Sequence, residues 1–404
     1  MQRDLFKSLL QHLTKKEFTI ITGARQTGKS TLIRQLETYC KASQIPTLFF
    51  NLENKALLAE FDLSPLNVLP FLPDTDKRTV IFIDEIQYLK DPSNFLKLLY
   101  DEYAAKIKIV ATGSSAFYLD DTFRDSLAGR KRIFRLQTCS FDEYLALREQ
   151  QDLLDDLRRV KTNEKAKSLN INLLQQEWEA YMLYGGYPAV ITETDRKEKI
   201  ARLTEIRDSF VKRDILEAGV QNEAAFYQLF RILASQSGNL LNANELSLTL
   251  RIKNNTVNHY LAILRKCFHI ELVNPFYRNL RKELTKMPKA YLLDTGMLNC
   301  LLNNFQPLNI RADKGMVWET MCYKTLCDRY GNDEVLFWRT ADDNEVDLVL
   351  PNIENPFAVE VKYDQNIIKT SKYKKFVETY PEIPLSYNYF QPFNEDFFRR
   401  KGMK

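Results

Sequence analysis

The sequence of 404 residues predicts an α/β protein of several domains: a parallel-sheet domain first, a helical middle, and a smaller α/β domain at the C-terminal end. Three observations predict it. A glycine-rich octapeptide, GARQTGKS at 23–30, lies between a β-like run and a helix-like run. The stretch TVIFID at 79–84 is apolar until its final carboxylate, as expected of a central parallel strand buried on both faces. EVDLVL at 345–350 and FAVEVKY at 357–363 alternate with the period of two that belongs to half-buried strands. A chain of this length exceeds what one hydrophobic core organises, so separate domains follow.

Composition narrows the chemistry. With 45% hydrophobic and 27% charged residues the chain is globular, which excludes disorder. No apolar run approaches the roughly 18 residues a membrane span needs, so no membrane partner is expected. The first residues, MQRDLFKSLLQHLTKKEF, mix acids and bases where a signal peptide would be apolar, so a cytoplasmic location is expected. The six cysteines are scattered and only three histidines exist, so neither a zinc cluster nor a disulfide framework is visible. Chemistry must rest on carboxylates, lysines and backbone amides, an inventory that suits magnesium-assisted hydrolysis.

The first element pair is the strand 18–22 and the helix 30–40 around GARQTGKS, the G-x-x-x-x-G-K-[ST] pattern in its required context. Gly23 and Gly28 allow the tight turn that aims successive amides at phosphate oxygens, and the helix adds its positive end. Gly23, Ala24, Arg25, Gln26, Thr27, Gly28, Lys29, Ser30 and Thr31 are therefore expected to hold ATP, with Lys29 on the β and γ phosphates and the Ser30 hydroxyl on Mg2+. Leu32, Ile33 and Leu36 give the helix a buried face. Asp84, ending the strand 79–84, is the second expected magnesium ligand, and Glu85 beside it would polarise the attacking water, favouring hydrolysis over transfer to a small acceptor. The strand 107–111 runs into Thr112, whose hydroxyl would sense the γ phosphate. Arg130 is a candidate arginine finger, acting on a site in its own chain or on a neighbour's, although Lys131 and Arg132 also make it part of a plain basic patch.

Residues 1–150 so read as a P-loop ATPase domain, and at this point the chain resembles the AAA-type ATPases, through GARQTGKS, FIDEIQ at 82–87, TGSSAF at 112–117 and SLAGR at 126–130. It looks like one prokaryotic branch, in which the ATPase is fused to a C-terminal domain of unknown function; SFDEYL at 140–145, GGYP at 185–188 and KAYLLDTG at 289–296 match that branch. AAA relatives often assemble into rings, which makes a homo-oligomer one candidate, yet no second sensor arginine follows SLAGR, so monomer, dimer and hexamer all stay open.

Residues 151–225 read as a helical linker or lid and 226–304 as a winged-helix-like domain. Two short helices, 244–250 and 255–266, are followed by a strand through Phe268, Ile270 and Leu272. Val257, Tyr260, Leu261 and Leu264 form the buried stripe of the second helix, leaving Asn255, Thr256, Asn258 and His259 to face outward. DNA is the expected partner of that face, with a plain packing module as the alternative. The basic stretch 265–289, with Arg265, Lys266, Arg278, Arg281, Lys282, Lys286 and Lys289 against Glu271 and Glu283, is a candidate phosphate-backbone footprint or a solvated face.

In residues 305–404, alternation puts Glu345 with Asp347, and Glu360 with Lys362, on single strand faces. A carboxylate on one strand and Glu-Val-Lys on the next resembles the PD-(D/E)XK nucleases of restriction-endonuclease-like fold, with Glu319 matching the extra helical acid of their resolvase-like subset. The resemblance implies that Asp347 and Glu360 hold magnesium while Lys362 positions the attacking water, and that Glu319 assists. An inactive fold serving as scaffold is the alternative. Lys369, Lys372, Lys374 and Lys375 would grip a DNA backbone or be a solvated face, and Trp338 with the aromatic tail 387–398 is expected to fill core.

Overall fold

The computed structural model describes residues 1–114, 127–163, 165–277, 286–393 and 398–399. These divide into two compact units, Met1–Gln137 with Lys266–Phe268, and Thr138–Arg265 with His269–Lys404.

The first unit is built on five parallel strands: β1 (Phe18–Gly23), β2 (Thr47–Asn51), β3 (Thr79–Asp84), β4 (Ile107–Ser114) and β5 (Lys131–Arg135), in the spatial order β2-β3-β4-β1-β5. TVIFID is buried at all six positions, as its uninterrupted hydrophobicity requires. Alternation divides its side chains between two cores. Ile81 and Ile83 join Ile20, Ile107 and Ile109 beneath α4 (Pro92–Tyr103), whereas Val80 and Phe82 pack on the other face with Leu32, Ile33 and Leu36 of α2 (Lys29–Ala42) and with α1 (Leu5–Leu13). The sheet order matters most for chemistry, because β4 lies between the strand that carries the glycine loop and the strand that ends in Asp84.

The second unit starts with helices, including α6 (Gln151–Thr162), α7 (Ile171–Tyr184) and α9 (Arg196–Glu217), numbered after α3 (Lys55–Leu63), α5 (Phe141–Leu147) and α8 (Pro188–Ile191). There follow α10 (Glu223–Ser235), α11 (Ala243–Leu250) and α12 (Asn254–Lys266), then an antiparallel pair, β6 (Ile270–Val273) and β7 (Lys289–Leu292). The helices begin within one residue of the positions expected from the apolar spacing. Arg251, with φ of 54°, makes the left-handed turn between them. After α13 (Thr295–Leu302) and α14 (Lys314–Tyr330) comes a four-stranded sheet, β11-β10-β9-β8, from β8 (Leu336–Arg339), β9 (Glu345–Leu350), β10 (Phe357–Asp364) and β11 (Leu385–Gln391); α15 (Lys374–Thr379) covers one face. Trp338 lies in that core with Phe376 and Tyr380, and Phe390 and Phe398 are buried, as the aromatic tail suggested.

Three of the branch motifs converge on a packing junction within this unit. The Asp294 carboxylate accepts from the Met297 amide at 2.9 Å, capping α13, and from the Gly186 amide at 2.8 Å, while the Gly186 carbonyl accepts from the Cys139 amide at 2.7 Å. At Gly296 a methyl group would stand 2.1 Å from the Tyr184 carbonyl oxygen. SFDEYL contributes the Ser140–Glu143 capping box of α5 just beyond Cys139. GGYP and LLDTG are thus read as close backbone contacts.

Candidate functional site

The loop after β1 turns through Gln26 (φ 61°) and Gly28 (φ 94°) into α2. Gly23 is fixed by proximity: a methyl group there would lie 2.1 Å from the Leu136 carbonyl oxygen. The Thr27 hydroxyl donates to the Ala24 carbonyl at 2.9 Å, and Arg3 donates to the Thr27 carbonyl at 2.7 Å, bracing the turn from α1's side. The buried Lys29 ammonium donates to the Gly23 and Ala24 carbonyls at 2.9 and 2.8 Å, lying over the loop whose amides would meet phosphate. Ala24 is buried, Arg25 half-buried and Gln26 exposed, while Ser30 and Thr31 are exposed on the first turn of α2.

Across the sheet, the Thr112 hydroxyl donates to the Asp84 carboxylate and accepts from the Glu85 amide at 3.2 Å. Glu85 has left-handed backbone geometry (φ 59°), and its carboxylate accepts from Gln87. One hydroxyl on β4, the strand beside β1, therefore ties the Asp84 carboxylate at the end of β3 to the backbone of Glu85 just after it. Ser30 and Asp84 offer a hydroxyl and a carboxylate, hard oxygen donors that suit Mg2+. Gln87 escaped the sequence reading; its position two residues after Glu85 was the available signal. Ser114 ends β4 opposite Gly23, whereas Ser115 of TGSSAF and Ser126 of SLAGR lie outside the described residues.

Arg130 is placed elsewhere. It pairs with Asp101 at 2.6 Å, and its carbonyl accepts from Phe18 at the start of β1. That is the amino end of the strands, a strand length or about 17 Å from the glycine loop. The strand separates it from the loop of its own chain, and the Asp101 pair engages it there.

The C-terminal acids do meet. The Asp347 carboxylate accepts from the Val361 amide at 2.8 Å and lies 3.3 Å from the Lys362 ammonium; Glu360, buried, accepts from Lys362 and from the Tyr373 hydroxyl at 2.7 Å, and from the Asp347 amide at 3.3 Å. Glu319 on α14 accepts from the Tyr291 hydroxyl at 2.6 Å. Alternation along β9 and β10 accounts for Asp347, Glu360 and Lys362. The sequence reading missed the group at the centre, Lys289, whose ammonium lies 2.7 Å from Glu345, 3.3 Å from Glu319 and 3.8 Å from Asp347. The signal was present in KAYL, where Lys289 and Tyr291 share a face of β7.

Lys289 therefore leaves the phosphate footprint: its side chain is 3% exposed. Arg265 is engaged with Glu271 at 2.7 Å, and Arg278, Arg281, Lys282 and Glu283 lie outside the described residues. Burial, reinforced by the Asp347 charge, pushes Glu360 up to about 7 against the pull of Lys362. Burial also pushes Glu319 up to about 7, against the pull of Lys289. Burial opposes the charge on Lys289, but Glu319, Asp347 and Glu345 outweigh it and hold the ammonium above the ordinary lysine range.

A metal does not fit this arrangement as it stands. Each oxygen of Asp347 and Glu360 already faces an internal ammonium, hydroxyl or amide, and among the described residues no group of three or more His, Cys, Asp and Glu side chains is placed to hold a metal ion.

On α12, Val257, Tyr260, Leu261 and Leu264 are buried while Asn255, Asn258 and His259 are exposed, with Arg251 and Lys253 exposed at its start. Lys369, Lys372, Lys374 and Lys375 are exposed, and Lys375 reaches Asp342 at 2.9 Å. No helix among the described residues is long and apolar enough to cross a membrane.

Comparison with known proteins agrees with the first site. Residues 15–145 match the AAA domain family, 175–308 a domain of unknown function (DUF8612), and 314–401 another (DUF4143). An uncharacterised protein of Mycobacterium tuberculosis is 25% identical over 364 residues, covering 89% of this chain and 74% of that protein. One from Methanocaldococcus jannaschii is 24% identical over 335 residues, covering 78% and 66%. Among solved structures, the Aeropyrum pernix ORC1 protein in complex with DNA aligns at 12% identity with a TM-score of 0.33, covering 75% of this chain and 93% of that one. That likeness is too slight to carry an argument. The similarity of residues 15–145 to AAA domains supports an ATPase and nucleotide binding.

Proposed function

We propose that this protein hydrolyses ATP at the loop 23–31 and uses the cycle to gate a DNA-binding second unit that does not cut. The observation that carries the ATPase reading is the Thr112 hydroxyl joining the Asp84 carboxylate to the Glu85 amide, on the strand between the phosphate loop and the acid pair. The loop amides and Lys29 would take the phosphates, Lys29 exchanging the Gly23 and Ala24 carbonyls for phosphate oxygens. Ser30 and Asp84 would hold Mg2+, which when bound neutralises phosphate charge. Glu85 would orient the attacking water, and its amide bond to Thr112 fixes the backbone from which it acts. A phosphate-release assay tests the assignment. Lys29→Ala is expected to lose binding and turnover together, and Glu85→Gln to keep bound ATP while turnover falls by roughly 10²-fold or more. Unchanged hydrolysis in both variants would refute the roles.

The DNA reading rests on the order helix, turn, helix, hairpin and on the exposed Arg251, Lys253, Asn255, Asn258 and His259. Lys253→Glu should weaken duplex DNA binding and flatten its salt dependence in fluorescence anisotropy. Equal DNA affinity with ATP, with ADP and without nucleotide would remove the gating. The non-cutting form is preferred to the nuclease because lysines occupy the acids that a cleavage metal would need.

A further inference from the structure

We infer that Lys289 is the resident cation of the C-terminal centre: its ammonium fills the place among Glu319, Glu345 and Asp347 that a divalent metal would need, and the centre excludes such a metal while Lys289 is there. This goes beyond the ATPase and DNA readings and depends on neither.

The acids come from α14 and β9, but the ammonium comes from β7 of the preceding hairpin, so the centre is completed by a segment outside the 314–401 region. Three carboxylates around one ammonium are more than ion pairing requires, and convergence of several acids is the donor set that hard divalent cations use. The surroundings fix the lysine. Its stem is buried, the Phe337 ring lies 5.3 Å from the ammonium, and its backbone bridges Leu240 as well as pairing with Val273. The Glu319 oxygen that meets Lys289 also accepts from the Tyr291 hydroxyl at 2.6 Å and lies close to Gly238, where a methyl group would come within 2.8 Å of it. Charge completes the argument. Glu319, Glu345, Asp347 and Glu360 meet Lys289 and Lys362, and Glu345 also meets Arg339, which is shared with Asp343, so the acids are already largely balanced by internal cations. A divalent ion entering beside two ammoniums would be repelled, whereas one replacing Lys289 would restore the balance.

The test is Mn2+ binding to the full chain without nucleotide, read from loss of the free-ion EPR signal, with circular dichroism melts as a check on folding. Wild type and Asp347→Asn should bind the same number of Mn2+ ions. Lys289→Met should gain one, at least about tenfold tighter than any wild-type binding at this centre, and Lys289→Met/Asp347→Asn should lose it again. Should Lys289→Met fail to fold, Lys289→Gln, which keeps a polar group among the three acids but no charge, should show the same gain. A wild-type Mn2+ site abolished by Asp347→Asn, or a manganese anomalous peak on Asp347 in wild-type crystals, overturns the inference. So does a folded Lys289 variant that gains no ion. ATP turnover, measured in the same preparations, reports separately on the N-terminal site.

Discussion

Single atoms decide the two sites. Gly23 is required less by its own dihedral angles than by the Leu136 carbonyl, which leaves 2.1 Å where a methyl group would go. Gly23→Ala should therefore displace the segment that follows β5 or the loop itself, costing about 1–3 kcal/mol in urea unfolding. A neutral result would mean that this approach is slack. Lys29 and Thr112 were legible as residues, because motif and strand context specify them. Their partners were not: a lysine folded onto the Gly23 and Ala24 carbonyls depends on where the loop closes, which no spacing in the sequence encodes. The same holds for Lys289, which stood in a basic run and so looked like surface.

At the scale of elements, burial patterns carried most of the fold. The apolar run at 79–84 and the stripe on α12 needed only their own periodicity. His269 shows what periodicity omits. It lies between α9 and α10, its ring 3.9 Å from Phe210 and 5.3 Å from Phe230 between centroids, and burial lowers its pKa from 6.5 to about 3. Between those values the unfolded chain binds a proton that the folded chain does not, so stability is full above about pH 6.5 and is lost as the pH falls toward 3. The loss should be on the order of 5 kcal/mol in denaturant melts of wild type. His269→Leu should remove that part of the pH slope; an unchanged slope would show that other groups carry the acid sensitivity.

For the whole molecule, the two units divide the sites, with the proposed nucleotide loop in the first and the acid–lysine centre in the second. Arg130, at the amino end of the first unit's sheet and paired with Asp101, acts as an arginine finger only if a second copy presents it to a neighbour's loop. Mass measurement by light scattering should then show a larger species with ATP and Glu85→Gln than without nucleotide, and Arg130→Ala should lower turnover without lowering ATP affinity. A monomer under both conditions would retire the arginine finger.

The sequence by itself determined the local elements and the glycine-rich turn between β1 and α2, because hydrophobic period and a glycine-lysine-serine turn act over neighbouring residues. Only the tertiary structure decided which side chains neutralise one another. It set β4 between the loop strand and the acid strand, sent Arg130 to the far end, and carried Lys289 from a hairpin into the acids of another sheet. Such pairings depend on distances between segments far apart in the chain, and electrostatic energy follows those distances rather than the order of residues.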